Sequence, residues 1–420
     1  MSNRRFEKSP SWVGWFGDMR VINEYLLTKP WQSSWGVVKM INAILRANGT
    51  VAFANNPFSG ALILVAMFMG NPNVGLACLV AGVIGVIFSK VLKQSEVAIS
   101  DGVTVFNGIL VGCISVAVFP SISGHPLDVI FWGYLCMAVL VSAYVDKGLN
   151  SLMAPSLLPA FSIPFNLSAV LMLLTMRSAA GMQGQMLPAE LDTGLNVNET
   201  LTHGTSRIVW PKVMEGTLLA AGQIYGVGTV DSSILIYLAF FIYSPLLTIF
   251  LYIGSIIGTL IGAIVCVAPY TEVYAGLWGY NAMLTSGAIS YFMVPTPGVL
   301  VAAVVGATIS AVVQAATLHI FYPTTTPVLS FPFNVATVLI CAISTAQDSP
   351  FTWVKYRSFP EWHLYRHYKN RNLEKAMANR HPETGIPLHK KDSFIYMPEN
   401  GVPSEKMLSN FAADQNLAEC

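Results

Sequence analysis

The chain has 420 residues, of which 54% are hydrophobic and only 11% are charged, and its formal net charge is +1. An ordinary soluble domain carries roughly 25% charged residues, so this composition excludes an ordinary soluble enzyme. It also argues against a disordered or nucleic-acid-binding chain, because no basic patch is available to neutralise phosphates. Apolar runs of about 17 to 25 residues can cross a bilayer as helices, and such runs recur along this chain. The sequence therefore predicts an all-α polytopic membrane protein.

Apolar runs are predicted to span the membrane on both sides of a polar central stretch. In the first half they lie near 51–70, 73–92, 102–119, 127–145 and 157–176, and in the second near 231–251, 253–268, 276–294, 299–321 and 328–345. Pro72 and Pro245 each mark a turn or a kink. The predicted regions are a cytosolic N-terminal segment (1–34), a first membrane repeat (35–176), an extracellular central loop (177–209), a second membrane repeat (210–350) and a cytosolic C-terminal tail (351–420).

The distribution of charge predicts the orientation. Lys and Arg are concentrated towards the two ends, whereas the chain has neither between Val213 and Val354. The positive-inside rule therefore places both termini in the cytosol. A sequon at Asn198 predicts glycosylation of the central loop, which requires that loop to be outside. Each half must then contain an odd number of spans, so the two halves are expected to have opposite orientations.

Two motifs recur in the two halves at nearly the same spacing. Residues 105–110 (VFNGIL) return 174 residues later as 279–284 (GYNAML). Residues 158–166 (LPAFSIPFN) return 168 residues later as 326–334 (TPVLSFPFN). Together with the opposite orientations, these repeats predict an inverted repeat.

The second motif is a proline box that interrupts a helix at the start of an apolar run. Backbone carbonyls and the hydroxyl of Ser162 or Ser330 are then left without helical partners. Such groups are tolerated at membrane depth only against protein or a water-filled cavity. If the motif occurred only once, an ordinary proline kink buried between helices would be the alternative interpretation. With two copies, symmetry is expected to bring Ser162 and Ser330 to equivalent places at the interface between the halves.

The first motif begins with an aromatic residue and an asparagine. Asn107 and Asn281 are expected to join helices, because an amide in hydrocarbon needs hydrogen-bond partners. The aromatic and leucine side chains lie one helical turn apart on one face, a spacing that fits core packing as well as a pore wall. These residues are Phe106 and Leu110 in the first half and Tyr280 and Leu284 in the second.

A shorter helical stretch precedes the first full span of each half, at residues 35–53 and 210–226. Each stretch is too short and too mixed in composition to cross a bilayer, so a re-entrant half-helix is expected. Thr50 and Gln223 lie at equivalent positions near the buried tips of these half-helices.

At this point the sequence resembles the urea transporter family, and closely its animal members. The matching segments are 45–46 (LR), 55–60 (NNPFSG), 106–107 (FN), 110–112 (LVG), 158–166, 222–226 (GQIYG), 276–281 (GLWGYN) and 330–334 (SFPFN). The resemblance implies two inverted halves, each with five transmembrane helices and one re-entrant half-helix. It also implies one pore within each subunit of a homotrimer in the lipid of the plasma membrane.

By the same resemblance, the pore is a narrow slot of apolar and aromatic side chains with oxygen acceptors along one edge. The slot residues carried over are Val51, Phe53, Phe106, Leu110, Ile224, Tyr280 and Leu284, and the acceptors include Ser162, Ser330 and Gln223. The chain departs from the family at several positions. Thr is usual where this chain has the two serines, and Gln or Glu is frequent at Thr50. Gly226 stands where a counterpart of Phe53 is expected, a change that would widen or loosen one vestibule.

Such a slot suits urea, which is flat and neutral, with N–H donors along its edges. Flat side chains would displace water from its faces while oxygens replace the lost donor contacts. A hydrated ion would lose several kcal/mol of solvation there. The sequence therefore predicts a passive channel for urea and small analogues, with no cofactor, metal, nucleic acid or enzymatic activity. Two alternatives remain: an ion-coupled secondary transporter of a small neutral solute, which needs an ion site, and a membrane-embedded enzyme, which needs a clustered base and nucleophile or metal ligands.

Overall fold

The regular structure in this computed structural model consists of helices. The described residues are 13–179, 207–321, 326–346, 348–354 and 357–380. The helices are α1 (Arg20–Leu27), α2 (Trp35–Thr50), α3 (Pro57–Gly70), α4 (Pro72–Val91), α5 (Glu96–Ser100), α6 (Phe106–Ser123), α7 (Val129–Met153), α8 (Ile163–Ala179), α9 (Trp210–Gln223), α10 (Val230–Tyr243), α11 (Pro245–Val265), α12 (Thr271–Tyr274), α13 (Tyr280–Phe292), α14 (Pro297–Phe321), α15 (Phe331–Thr345) and α16 (Pro360–Arg380). Short 3₁₀ turns occupy Val13–Trp15 and Ala154–Ser156. Asn198 lies outside the described residues, so its glycosylation stays a prediction.

Within the described part of the chain, five helices are long and apolar enough to cross a membrane, namely α4, α6, α7 with the turn that follows it, α11 and α14. The apolar helices α3, α8, α10 and α15 are shorter. The outer faces of these helices expose large apolar side chains, as lipid-facing helices do. The prediction of an all-α, multi-pass membrane protein is therefore confirmed.

Proline and capping residues decide where several helices begin. The Asn56 side chain accepts the N–H groups of Phe58 and Ser59, and Pro57 takes the first helical position of α3. The apolar run that starts at residue 51 is therefore helical only from Pro57. The prediction of one span over 231–251 is wrong, because α10 ends at Tyr243 and α11 begins at Pro245. Proline lacks the N–H that would continue the first helix, and Ser244 caps the second.

Helices α2 to α8 pack in the same pattern as helices α9 to α15. In the first set, α4 contacts α2, α3, α6 and α7, and α6 contacts α7 and α8. In the second set, α11 contacts α9, α10, α13 and α14, and α13 contacts α14 and α15. The repeated motifs of the sequence therefore lie on two bundles with corresponding contacts.

The two bundles meet at α3 against α10 and at α8 against α15. The Ser59 hydroxyl donates to the Ala239 carbonyl at 2.7 Å, and the Ser232 hydroxyl donates to the Ala66 carbonyl at 2.9 Å. Ser59 is near the start of α3 and Ala239 is near the end of α10, whereas Ala66 and Ser232 have the reverse placement. The two helices therefore run antiparallel where they touch.

Candidate functional site

The two serines of the proline boxes meet where α8 and α15 begin. Ser162 Oγ and Ser330 Oγ are 2.6 Å apart, and the two residues are buried, with 4% and 5% of their surface exposed. Each serine directly precedes the first residue of its helix. The structure thus brings together two side chains that are 168 residues apart in the chain.

Asparagines from the opposite half hold each serine. Asn334 Nδ2 donates to Ser162 Oγ at 3.0 Å, and the Ser162 N–H donates to Asn334 Oδ1 at 3.1 Å. Asn166 makes the same two bonds with Ser330, at 3.0 and 3.1 Å. Sequence reasoning did not select Asn166 and Asn334 as site residues. The available signal was their place as the last residue of each repeated box.

The residue before each serine has a strained backbone that an asparagine side chain holds. Phe161 and Leu329 have φ values of 47° and 51°, which are unusual for residues other than glycine. Asn107 Nδ2 donates to the Phe161 carbonyl at 3.1 Å, and Asn281 Nδ2 donates to the Leu329 carbonyl at 3.1 Å. The amide of each aromatic-Asn motif therefore anchors the proline box of its own half.

The same two asparagines contact polar side chains on long apolar helices. Asn107 Nδ2 lies 3.1 Å from Asp146 Oδ1 on α7, and Asn281 Nδ2 lies 3.0 Å from Gln314 Oε1 on α14. The expectation that these amides join helices is confirmed. Asp146 and Gln314 occupy equivalent positions in the two halves, but sequence reasoning did not select them. Gln314 lies inside an apolar run, whereas Asp146 directly follows one.

The aromatic residues of the predicted slot begin α6 and α13. Phe106 and Tyr280 remain partly exposed, whereas Leu110 and Leu284, one turn further on, are buried. The Tyr280 hydroxyl donates to the Leu329 carbonyl at 2.5 Å, a contact that Phe106 has no hydroxyl to make. The two aromatic positions are therefore equivalent in the fold but differ in polarity.

The predicted half-helix tips are tied to the segments that lead into α6 and α13. Thr50 ends α2, and its hydroxyl lies 2.8 Å from the Arg46 carbonyl in the preceding turn and 3.3 Å from the Asp101 carbonyl. Gln223 ends α9, and its Nε2 donates to the Ala275 carbonyl at 2.8 Å. Both residues are partly exposed and make corresponding contacts. Gln223 thus uses its amide N–H on the protein and has a carbonyl oxygen with which to accept.

A tight turn follows each tip and carries further residues of the predicted slot. Val51 and Ile224 are buried at the first position of the turn. Phe53 and Gly226 both adopt left-handed backbone angles, with φ of 66° and 73°. A glycine adopts this conformation without strain, whereas a phenylalanine does so only when its surroundings hold it.

Filling Gly226 is expected to destabilise the protein. A β-carbon at this position would lie 2.6 Å from Ala117 Cβ, so the space beside the turn is already occupied. Gly226→Ala should combine backbone strain of about 1–2 kcal/mol with an overlap of about 1–3 kcal/mol. The thermal unfolding midpoint in detergent measures the loss. The double variant Gly226→Ala with Ala117→Gly should recover the part due to overlap, and an unchanged midpoint in the single variant would contradict this account.

The turn at Phe53 is packed in an aromatic cluster, which comprises Phe53, Phe161, Tyr291, Phe292 and Phe333. The Phe53 ring centroid lies 5.5 Å from that of Tyr291, 5.9 Å from that of Phe292 and 6.2 Å from that of Phe333. Phe161 lies 5.4 Å from Phe292 and 6.0 Å from Phe333. The cluster therefore joins a predicted slot residue to the residue that precedes Ser162. In the other half, Gly226 and Leu329 take the places of Phe53 and Phe161.

The comparison with known proteins agrees with these motifs. A family model described as "Urea transporter" matches residues 41–345. Urea transporter 1 of Capra hircus and that of Ovis aries are each 28% identical over 351 residues, which cover 81% of this chain and 85% of the relative. Urea transporter 1 of Mus musculus is 29% identical over 333 residues, which cover 78% of this chain and 82% of the relative.

Proposed function

This chain belongs to the urea transporter family, and on that premise we propose that it is a passive channel through which urea moves down its gradient. The family match and the apolar helices make it a multi-pass membrane transporter rather than an enzyme. The proposal of a passive channel rests on one observation, which is that the hydroxyls of Ser162 and Ser330 pair where the two halves meet.

An inverted repeat of residues 35–176 and 210–350 forms the proposed framework. Its support is the contact between α3 and α10, which are equivalent helices that run antiparallel and exchange corresponding serine-to-carbonyl bonds. A two-fold axis that relates antiparallel helices is perpendicular to them, so such an axis gives the two halves opposite orientations. Each half then supplies five spanning helices and one re-entrant half-helix to one pore.

The serine pair offers both kinds of hydrogen bond that urea needs. A hydroxyl has one donor and two acceptor positions. When one serine donates to the other and each accepts an asparagine N–H, one O–H and one acceptor position remain for the pair. A rotation of the two hydroxyls exchanges which serine offers which. The pair can therefore accept an N–H of urea or donate to its carbonyl without any fixed charge.

The proposed slot on both sides of this pair is apolar. Its residues are Val51, Phe53, Phe106 and Leu110 in the first half and Ile224, Tyr280 and Leu284 in the second, with Thr50 and Gln223 at the helix tips. A flat solute loses water from its faces against such side chains and keeps polar contacts along its edges. An ion would lose its hydration without a charge to replace it. These properties favour a neutral, planar permeant such as urea and small analogues.

The proposal extends to the surroundings of the channel. We place the protein in the plasma membrane as a homotrimer with one pore in each subunit and with both termini in the cytosol. The central loop would then be extracellular and glycosylated at Asn198. Crosslinking in membranes tests the trimer, and a mobility shift that Asn198→Gln abolishes tests the glycosylation.

Stopped-flow light scattering on proteoliposomes that contain the purified protein tests the channel. Urea uptake is expected to be faster than in empty vesicles of the same lipid and to proceed without a sodium or proton gradient. Uptake no faster than in empty vesicles would refute the proposed function.

The second candidate function is ion-coupled transport, which the buried carboxylate of Asp146 favours. This carboxylate is buried at 4% exposure in α7, beside Asn107 and Asn150, each 3.1 Å from its Oδ1. If uptake requires an ion gradient and Asp146→Asn removes that requirement, the coupled mechanism replaces the passive one.

A further inference from the structure

Residues 351–354 and 357–363, here called the C-terminal strap, pack against the end of α13. The Val294 N–H donates to the Thr352 carbonyl at 3.0 Å, and the Val354 N–H donates to the Phe292 carbonyl at 2.9 Å. These bonds pair Trp353 with Met293 in an isolated antiparallel bridge. The strap lies outside residues 41–345, the part of the chain that the family model matches.

The strap reaches the aromatic cluster through Phe292. The Trp353 ring stacks on the Phe292 ring, with centroids 5.4 Å apart and an angle of 13° between the planes. The Arg357 guanidinium carbon lies 4.8 Å from the centre of the same ring. Phe292 in turn packs edge-to-face on Phe53 and on Phe161. One ring therefore separates the strap from a slot residue and from the residue that precedes Ser162.

The other end of the strap is anchored to helix α11. Glu361 accepts the Leu246 N–H and the Ser244 hydroxyl, both at 2.7 Å, and so caps the first turn of α11. An acidic side chain is stabilising at a helix N-terminus, because it satisfies free N–H groups and complements the helix dipole. The strap is thus held at both ends, with Trp353 at the end that faces the cluster.

The strap is also connected to the Phe53 turn through the N-terminal segment. The Phe359 ring occupies the space where a side chain at Gly17 would lie, so the strap packs directly on the N-terminal segment. The Gly17 carbonyl accepts an N–H from Asn56, which immediately precedes α3 and follows the turn that carries Phe53. The N-terminal segment therefore contacts Asn56, just after the Phe53 turn, and the strap contacts Phe292, which packs on Phe53.

The arrangement has no aromatic equivalent in the other half, because Gly226 occupies the place of Phe53. The strap therefore lies beside one end of the proposed slot. We propose that Trp353 is a positioning residue, which holds the Phe53 ring through Phe292 and so sets how narrow the slot is at this end. This inference rests on the proposed urea channel. A loosened Phe53 ring is expected to admit bulkier planar amides that the native slot excludes.

The test compares urea with 1,3-dimethylurea in proteoliposomes of the full chain. Trp353→Ala should raise the ratio of dimethylurea to urea uptake by roughly two- to tenfold, the range expected when one aromatic stack is lost. Trp353→Phe keeps a stacking ring and should restore the native ratio. Trp210→Ala, which removes an exposed tryptophan at the start of α9, is the matched control and should leave the ratio unchanged.

The outcomes separate this inference from the proposed function. Native protein with no urea uptake above empty vesicles refutes the channel itself. Native uptake with an unchanged ratio in Trp353→Ala, or a parallel fall of both solutes, overturns only the positioning role. If Trp353→Ala does not fold, Phe292→Leu removes the intermediate ring, and the same increase in ratio is required of it.

Discussion

Replacing Ser162 with valine is expected to slow urea uptake by about tenfold or more. Valine removes the hydroxyl that contacts Ser330 and Asn334 and adds one methyl group, which a threonine at this position would add as well. A typical hydrogen bond contributes about 0.5–1.5 kcal/mol, and a buried polar group left without a partner costs about 1–3 kcal/mol. Since about 1.4 kcal/mol corresponds to a tenfold change in rate, losing one contact to the permeant reaches this magnitude.

Three variants make the interpretation of Ser162→Val specific. Ser330→Val should produce a similar fall, because the two serines have corresponding partners. Ser162→Thr keeps the hydroxyl and should retain most of the uptake. Thr308→Val removes an exposed hydroxyl that bonds only within α14 and serves as the matched control. Native uptake in folded Ser162→Val and Ser330→Val would exclude both serines from the permeation pathway.

Replacing Arg46 with methionine should be the most destabilising of these substitutions. Arg46 is 1% exposed. Its guanidinium donates to the carbonyls of Asp18 and Met19, at 2.7 and 3.1 Å, and to Asn55 Oδ1 at 2.9 Å. Removing one member of a buried charged network typically costs about 3–5 kcal/mol. We therefore expect a large fall in the free energy of unfolding.

The loss of Arg46 should also destabilise the ionised form of Asp18 relative to the protonated form. Burial is the largest influence on the Asp18 pKa and raises it, while the charges of Arg20 and Arg46 lower it. Without Arg46, the pKa of Asp18 should rise further, and the N-terminal segment should lose the two hydrogen bonds by which Arg46 attaches Asp18 and Met19 to α2. The turn that carries Phe53 would then be less well held, because Asn55 adjoins that turn.

Thermal unfolding followed by fluorescence-detected size exclusion measures the effect of Arg46→Met. Arg46→Lys keeps the charge but has fewer donors and lacks the planar fork, so an intermediate loss is expected. Leu219 occupies the equivalent position in α9 and is also buried. Leu219→Met should cost less than about 1.5 kcal/mol and is therefore the matched control. Similar midpoints for Arg46→Met and Leu219→Met would contradict a stabilising role for the Arg46 network.

The difference between Arg46 and Leu219 also shows how far the repeat extends. The positions of Thr50 and Gln223 at helix ends, and of Phe106 and Tyr280 at helix starts, could be predicted because each pair follows the same local pattern in sequence. The polar contacts of Arg46 are not repeated in α9, because the equivalent residue there is Leu219. Sequence repetition therefore gave no reason to expect the hydrogen-bond network around Arg46.

Composition, hydropathy and the two repeated boxes were sufficient to predict a helical membrane protein with two related halves, and the resemblance of its motifs indicated the urea transporter family. These properties are encoded locally, in runs of apolar residues and in prolines that interrupt helices. The pairing of Ser162 with Ser330, their exchange of asparagines, the one-sided aromatic cluster and the strap at Trp353 were decided by the tertiary structure. Each depends on side chains far apart in the chain, and only the packing of helices brings such atoms within hydrogen-bonding or stacking distance.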